Sequence, residues 1–238
     1  MYKKITLLFV LLINAAFLFA QTDAPPKHNK LFDVTGAIGS SQGTASASYV
    51  YNWRLGKRKK WEAGLGLRYS AYFGTKKDFV TAPARLARST TFPFVIVFAG
   101  QKTENWDTLT VQRPFTNSLN ATANFGYHFS SKWYGGFNID LVGITLGRST
   151  SAILTSNGTT TAEPNAKPAT FNALLTGDND LGSLNSEFFL RYSISKRWSL
   201  KGVYQFFFSE YKTSSIKQIA PDGTSVDRFR NKVNAFGL

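Results

Sequence analysis

The chain has no cysteine and only two histidines, His28 and His128. The first absence excludes a disulfide framework, a thiol nucleophile and a thiolate metal site. The second leaves too little imidazole for a histidine-built metal centre. Acidic residues are scarce as well, 14 Asp plus Glu against 28 Lys plus Arg in 238 residues, for a formal charge of +14. Charged residues of either sign make up only 18% of the chain, whereas 15% is aromatic. A disordered basic tail would be poor in aromatics, so the basic surplus belongs to a folded protein. Beyond the first twenty residues there is no apolar run near the roughly 20 residues that a membrane helix needs, and mean hydropathy is −0.17. These features exclude a helical membrane bundle. They leave open a membrane β-barrel, whose strands are apolar on one face only. The length suits one domain or one sizeable barrel.

Lys3 and Lys4 precede an apolar stretch, residues 5–19, interrupted only by Thr6 and Asn14. That order is the mark of a secretory signal peptide, with the cut after Ala20. A membrane anchor fits less well, because the stretch is short and residues 21–30, with Pro25, Pro26 and His28, are polar. The expected organisation is signal peptide 1–20, flexible periplasmic leader 21–30 and outer-membrane β-barrel domain 31–238. No cysteine stands beside the cut for lipid attachment, and loss of Lys3 and Lys4 leaves 26 basic against 14 acidic residues.

After residue 30 the apolar pattern has period 2 and not 3.6. Within residues 61–73 the odd positions are Trp61, Ala63, Leu65, Leu67, Tyr69, Ala71 and Phe73, against Glu62, Gly64, Gly66, Arg68, Ser70 and Tyr72. The alternation recurs in residues 45–53, 119–129, 133–143, 188–194 and 198–208. Across these six segments the apolar register has 34 positions and no charge, whereas the facing register, counted with the adjoining Glu187, has 29 positions and six charges. Stretches of about ten residues exceed the five or six usual for soluble strands and match a tilted membrane crossing.

Connections 54–60, 130–132 and 195–197 are short, and 74–118, 148–185 and 212–228 are long. Each short turn ends in a basic residue followed by tryptophan: Lys60-Trp61, Lys132-Trp133 and Arg197-Trp198. Together with Trp53, these indoles suit a membrane interface, where an amphipathic ring is anchored and a neighbouring cation stays wet. Adding residues 32–40 and 229–238 predicts an all-β, antiparallel, up-and-down transmembrane barrel of eight strands, with short periplasmic turns and long external loops. Residues 92–98, apolar without alternation, and the strand-like Thr108–Gln112 would make ten if they joined the wall. Pro93 and the length of that connection favour a decorated loop.

This pattern resembles small outer-membrane β-barrels of the OmpX/OmpW type, in particular the outer-membrane β-barrel domain proteins of Bacteroidota, and residues 18–21, Leu-Phe-Ala-Gln, are similar to the signal ends of that group. The resemblance is one of architecture and covers nearly all of the mature chain. It implies outer-membrane localisation, insertion by the barrel assembly machinery, and contact with outer-membrane lipid. The chain departs from the family at Phe236-Gly237-Leu238, where such barrels carry a terminal aromatic.

The facing register carries Glu62, Arg68, Asp140, Glu187, Arg191 and Lys201, three charges of each sign. An eight-stranded interior has room only for side chains, so these residues, with Asn124, Asn138 and Gln205, are expected to form a paired polar plug. A narrow solute path is the alternative. His128 stands beside a short turn and His28 in the leader, so no nucleophile and base are assembled, no cofactor is expected, and the protein is read as a non-enzyme. Export and apolar strands argue against nucleic acid as the partner of the basic surplus. Cations at Lys76, Lys77, Arg85, Arg88, Lys212 and Lys217 in the long connections could meet lipopolysaccharide phosphates or remain solvated. Three functions stay open at this point. One is a barrel whose loops serve surface interaction, with an unknown extracellular ligand, or envelope integrity. Another is a narrow transport barrel for small or apolar solutes with residues 92–98 at its mouth. The last is a secreted lipocalin-like barrel with its apolar register inward.

Overall fold

Alternating apolar and polar residues suit the pleat of a strand, where successive side chains face opposite sides. The computed structural model describes residues 26–92, 98–175 and 177–238. Its strands are β1 (His28–Gly39), β2 (Gln42–Leu55), β3 (Trp61–Gly74), β4 (Lys76–Thr81), β5 (Thr108–Gln112), β6 (Phe115–His128), β7 (Trp133–Leu146) and β8 (Thr150–Ser156). They continue as β9 (Thr159–Pro168), β10 (Phe171–Ala173), β11 (Leu184–Ser193), β12 (Ser199–Lys212), β13 (Gln218–Ile219), β14 (Ser225–Val226) and β15 (Arg228–Gly237). Among the described residues no helix is long and apolar enough to cross a membrane.

The structure is all-β and antiparallel, but it has fifteen strands among the described residues, not the eight expected. Every expected strand is present. The extra seven, β4, β5, β8, β9, β10, β13 and β14, come from the three long connections, which fold into sheet of their own. Thr108–Gln112 pairs antiparallel with β4, and residues 93–97 of the apolar stretch lie outside the described residues. So do the signal peptide and leader residues 21–25, while residues 28–30, expected in the leader, open β1.

Pairing closes two rings. The first runs β1, β2, β3, β6, β7, β11, β12, β15 and back to β1. Its closure joins Ala37 to Gly237 and Ile38 to Phe236. The second, shorter ring is β4, β5, β8, β9, β12 and β15. Strands β12 and β15 belong to both, so the second ring stands on the end of the first that is away from the short turns.

Two of those short turns share a local cause. Ser130 Oγ accepts the backbone N–H groups of Lys132 and Trp133 at 3.2 and 3.1 Å. Ser195 Oγ does the same for Arg197 and Trp198 at 3.3 and 3.1 Å. A hydroxyl bonded to the backbone two and three residues on is a turn signal, and it sets a basic residue and an indole at the foot of β7 and just before β12. In the second ring, Asn157 and Gly158 take left-handed φ of 47° and 78°, the two-residue turn that suits the twist between β8 and β9.

The two rings are filled in opposite ways. In the first, the apolar register points outward: Leu67 is 58% and Phe188 56% exposed, while Arg68 and Glu187 beside them are buried. In the second, Phe79, Leu109, Val111, Ala152, Leu154, Ala166, Tyr211 and Phe229 point inward and are buried, and polar residues such as Asp78, Thr110 and Ser151 face out. That inner cluster extends down between the rings through Tyr72, Phe207, Val233 and Ala235.

One register differs from the expected alternation. Thr122 pairs with Asp140 but Ala121 with Val142, leaving Leu141 as an extra residue in β7. Such a bulge reverses which side later residues face. Val142, Ile144 and Leu146 are therefore outward and Thr145 is inward and buried. Val142, expected inside, is outside.

Candidate functional site: an ion-paired interior and its basic mouth

The inward parity of five strands brings the interior residues together. Strand β3 contributes Glu62 and Arg68, β6 Asn124, β7 Asn138 and Asp140, β11 Glu187 and Arg191, and β12 Lys201 and Gln205; all nine are buried. Arg68 is the centre. Its guanidinium lies 3.4 Å from Asp140 and 4.0 Å from Glu187. It also donates to the Asn185 carbonyl at 3.2 Å and to the Asn138 side chain. Glu187 accepts from Lys201 at 3.2 Å and from Gln205 at 3.1 Å, and Gln205 accepts from Thr44. Asp140 accepts from Asn120 at 2.8 Å and from the backbone N–H of Asn185 at 2.9 Å.

Toward the short turns the network continues through residues that the alternation did not single out. Asp33 of β1 accepts from Lys201 at 2.5 Å and Arg191 at 3.3 Å. Glu62 meets Arg54 at 2.9 Å, His128 Nε2 at 2.7 Å and Asn29 at 3.1 and 3.2 Å. Asp33 and Arg54 raise the three charges of each sign to four of each. A signal for Asp33 was present: it sits between Phe32 and Val34, both outward, so its parity is inward. Asn124 stands apart from the ion pairs, donating to Asn52 and Tyr134 at 2.9 Å. Tyr134 stacks on His128, ring centroids 4.5 Å apart, and fills the space over Gly126, where a Cβ would collide with its ring.

Trp53, Trp61, Trp133 and Trp198 are all outward and exposed, at the short-turn end. Trp61 packs on Tyr127 at 4.6 Å and Trp133 on Tyr192 at 4.9 Å. The Lys60 and Lys132 ammonium groups lie 5.9 Å from the Tyr127 and Tyr192 ring centroids, within cation–π range.

A second charged cluster sits where the rings meet, on the outside of β12 and β15. Glu210 binds Arg228 at 2.8 Å and Arg230 at 2.6 Å; Asp178 binds Arg230 at 3.2 Å, Lys232 at 2.5 Å and also Arg88. Burial works to raise the Asp178 carboxyl, but hydrogen bonds from Lys232 and Arg88 and the charge of Arg230 outweigh it and hold it below 3.8. Asp180 is raised, because burial and the nearby Asp178 and Glu210 charges exceed the help of the Leu175 N–H and Arg230. On β9, Glu163 is held low despite burial by the backbone N–H groups of Asn165, Ser214, Ser215 and Ile216. Several loop cations are thus occupied: Arg88 on Asp178, Arg85 on Asp222 at 2.6 Å, Lys212 near Asp227 at 3.9 Å, and Lys77 on the Ser40 carbonyl. Lys76 and Lys217 are exposed.

Chemically, the interior network neutralises charge and fills space. His28 is exposed and rests on Tyr51, ring centroids 5.3 Å apart. Below the network, at the short-turn end, a cavity of about 790 Å³ is lined by Lys30, Arg54, Lys60, Arg191 and Arg197 together with Leu31, Tyr134 and Trp198. No family model, curated protein or solved structure matches the chain.

Proposed function

We propose that the protein is a non-enzymatic integral outer-membrane β-barrel of the OmpX/OmpW type. Its eight-stranded ring crosses the bilayer, and its second ring stands outside as the surface-exposed part, serving surface interaction or envelope integrity. One observation carries this reading: the filling inverts between the rings. Water forces apolar side chains inward, as in the second ring; a ring with apolar residues outside and four ion pairs' worth of charge inside is suited to hydrocarbon. Strands of 10 to 14 residues are long enough for a tilted crossing, and the four tryptophans belong at one interface. A lipocalin-like filling would have the apolar register inside, the reverse of what is seen. The transport reading is disfavoured by the Arg68 network and by the apolar layer of Tyr72, Phe207, Phe229 and Tyr211 above it, which leave the lumen filled at two levels.

Cell fractionation with heat-dependent gel mobility tests the proposal. The expected result is recovery with the outer membrane and a band that shifts on boiling, without conductance in planar bilayers. A mature protein that stays soluble without detergent would sink it, and sustained conductance changed by Arg68 or Asp140 variants would restore the transport reading.

A further inference from the structure

The basic mouth has no place in an interior built for neutrality. Eight of the described residues lining the 790 Å³ cavity are Lys or Arg, and none is Asp or Glu. Arg54 and Arg191 are committed to Glu62 and Asp33, but Lys30, Arg58, Lys60, Lys196 and Arg197 have no acidic partner among the described residues. Arg191, 7% exposed, still has its Nε without a hydrogen-bond partner, a buried donor on the cavity wall.

The cavity is also apolar in one direction. Its lining passes from the inward Leu31 to Phe32 and Trp198, which belong to the outward surface and are 69% and 76% exposed. It therefore reaches the outer face between β1 and β12, at the height of the tryptophans. A site that joins the exposed rim cations Lys30, Lys196 and Arg197 and the inward Arg191 to an apolar exit at the wall matches a molecule with an anionic head and a hydrocarbon tail.

We infer that this mouth binds an anionic amphiphile, a phosphate-headed lipid of the leaflet at the short-turn end. The head would lie among Lys30, Lys196, Arg197 and Arg191, and a tail would leave past Phe32 and Trp198. Arginine and lysine are the side chains that hold phosphate by charge-assisted hydrogen bonds. The inference rests on the membrane reading above.

Tryptophan quenching separates the two. Full-length protein is reconstituted in phosphatidylcholine vesicles holding a small fraction of brominated phosphatidylglycerol or, in parallel, brominated phosphatidylcholine. Membrane insertion predicts that both lipids quench a Trp198→Phe variant through its remaining indoles; no quenching by either would defeat the membrane reading itself. The lipid site predicts that the part of the quenching lost in Trp198→Phe develops at about a tenfold lower fraction of the anionic lipid. Tenfold is about 1.4 kcal/mol, within the reach of three surface cations near an anionic lipid. The triple variant Lys30→Gln, Lys196→Gln, Arg197→Gln keeps every interior ion pair and should abolish the preference. Equal quenching of Trp198 by the two lipids, a preference that survives the triple substitution, or displacement by millimolar glycerol phosphate would overturn the assignment of an amphiphile.

Discussion

Strands β12 and β15 run through both rings, and the same two chains serve opposite interiors. Low on β12, Lys201 and Gln205 face a charged centre; high on it, Tyr211 faces Phe79 across an apolar one, ring centroids 5.1 Å apart. On β15, Phe229 is inside the second ring while Phe236, seven residues on, is 73% exposed on the first. Pleat geometry is common to both, so on the membrane reading proposed above the difference lies in what surrounds each ring. One is organised as proteins are in water, with its greasy side hidden. The other hides its charge, which is tolerable only because each carboxylate has a cation and further hydrogen-bond donors.

The sharpest way to break this contrast is at Arg68. Replacing it with methionine, Arg68→Met, leaves Asp140 and Glu187 buried without their shared cation, and the loss should be about 3–5 kcal/mol. It is read as a lowered urea midpoint of unfolding. Phe229→Ala opens a hole in the apolar ring and should cost about 3–5 kcal/mol. The comparable truncation on the outer face of the first ring, Leu67→Ala, should stay under about 1 kcal/mol, as for other exposed positions. Equal costs would erase the distinction between the rings. Leu67→Arg should cost about 2–4 kcal/mol, as cations do on the lipid face of a barrel, whereas Ile153→Arg, outward on β8, should be nearly silent.

The smallest effect concerns pH and belongs to the cluster between the rings. The folded Asp178 value lies below 3.8, so the stability it contributes is complete above its unfolded value and fades as pH falls through the folded one. Asp180 has the opposite sign: its raised value means that lowering the pH through it favours the folded state. Acid titrations of the unfolding midpoint should therefore show Asp178→Asn losing part of the wild-type decline below about pH 4, and Asp180→Asn gaining stability at neutral pH. A decline unchanged in Asp178→Asn would remove this carboxylate from the account.

Much of the first ring was legible because one physical rule, side-chain alternation, is local and long. Each apolar register of ten or so residues names its own strand, and the charges opposite name the interior: Arg68, Asp140 and Glu187 fell together because their strands share a height above the short turns. The second ring was legible only at Thr108–Gln112, read as strand-like and found as β5. Its strands are short, β4 with six residues and β5 with five, and β9 carries Thr, Asn, Lys and Pro that read as loop. What makes them sheet is pairing to the raised ends of β12 and β15, a tertiary cause. The bulge at Leu141 was hidden for a similar reason, since one extra residue is defined only against the partner strand β6. Asp33 was missed because β1 was bounded without its register being assigned.

The absence of cysteine makes the central claim directly measurable. Single substitutions Leu67→Cys, Leu119→Cys and Phe188→Cys on the first ring, and Thr110→Cys and Ile153→Cys on the second, can each carry one spin label in reconstituted protein. The account predicts that labels on the first ring collide with oxygen and are shielded from a water-soluble nickel chelate, while those on the second are open to the chelate. Chelate access at Leu67, Leu119 and Phe188 equal to that at Ile153 would contradict it.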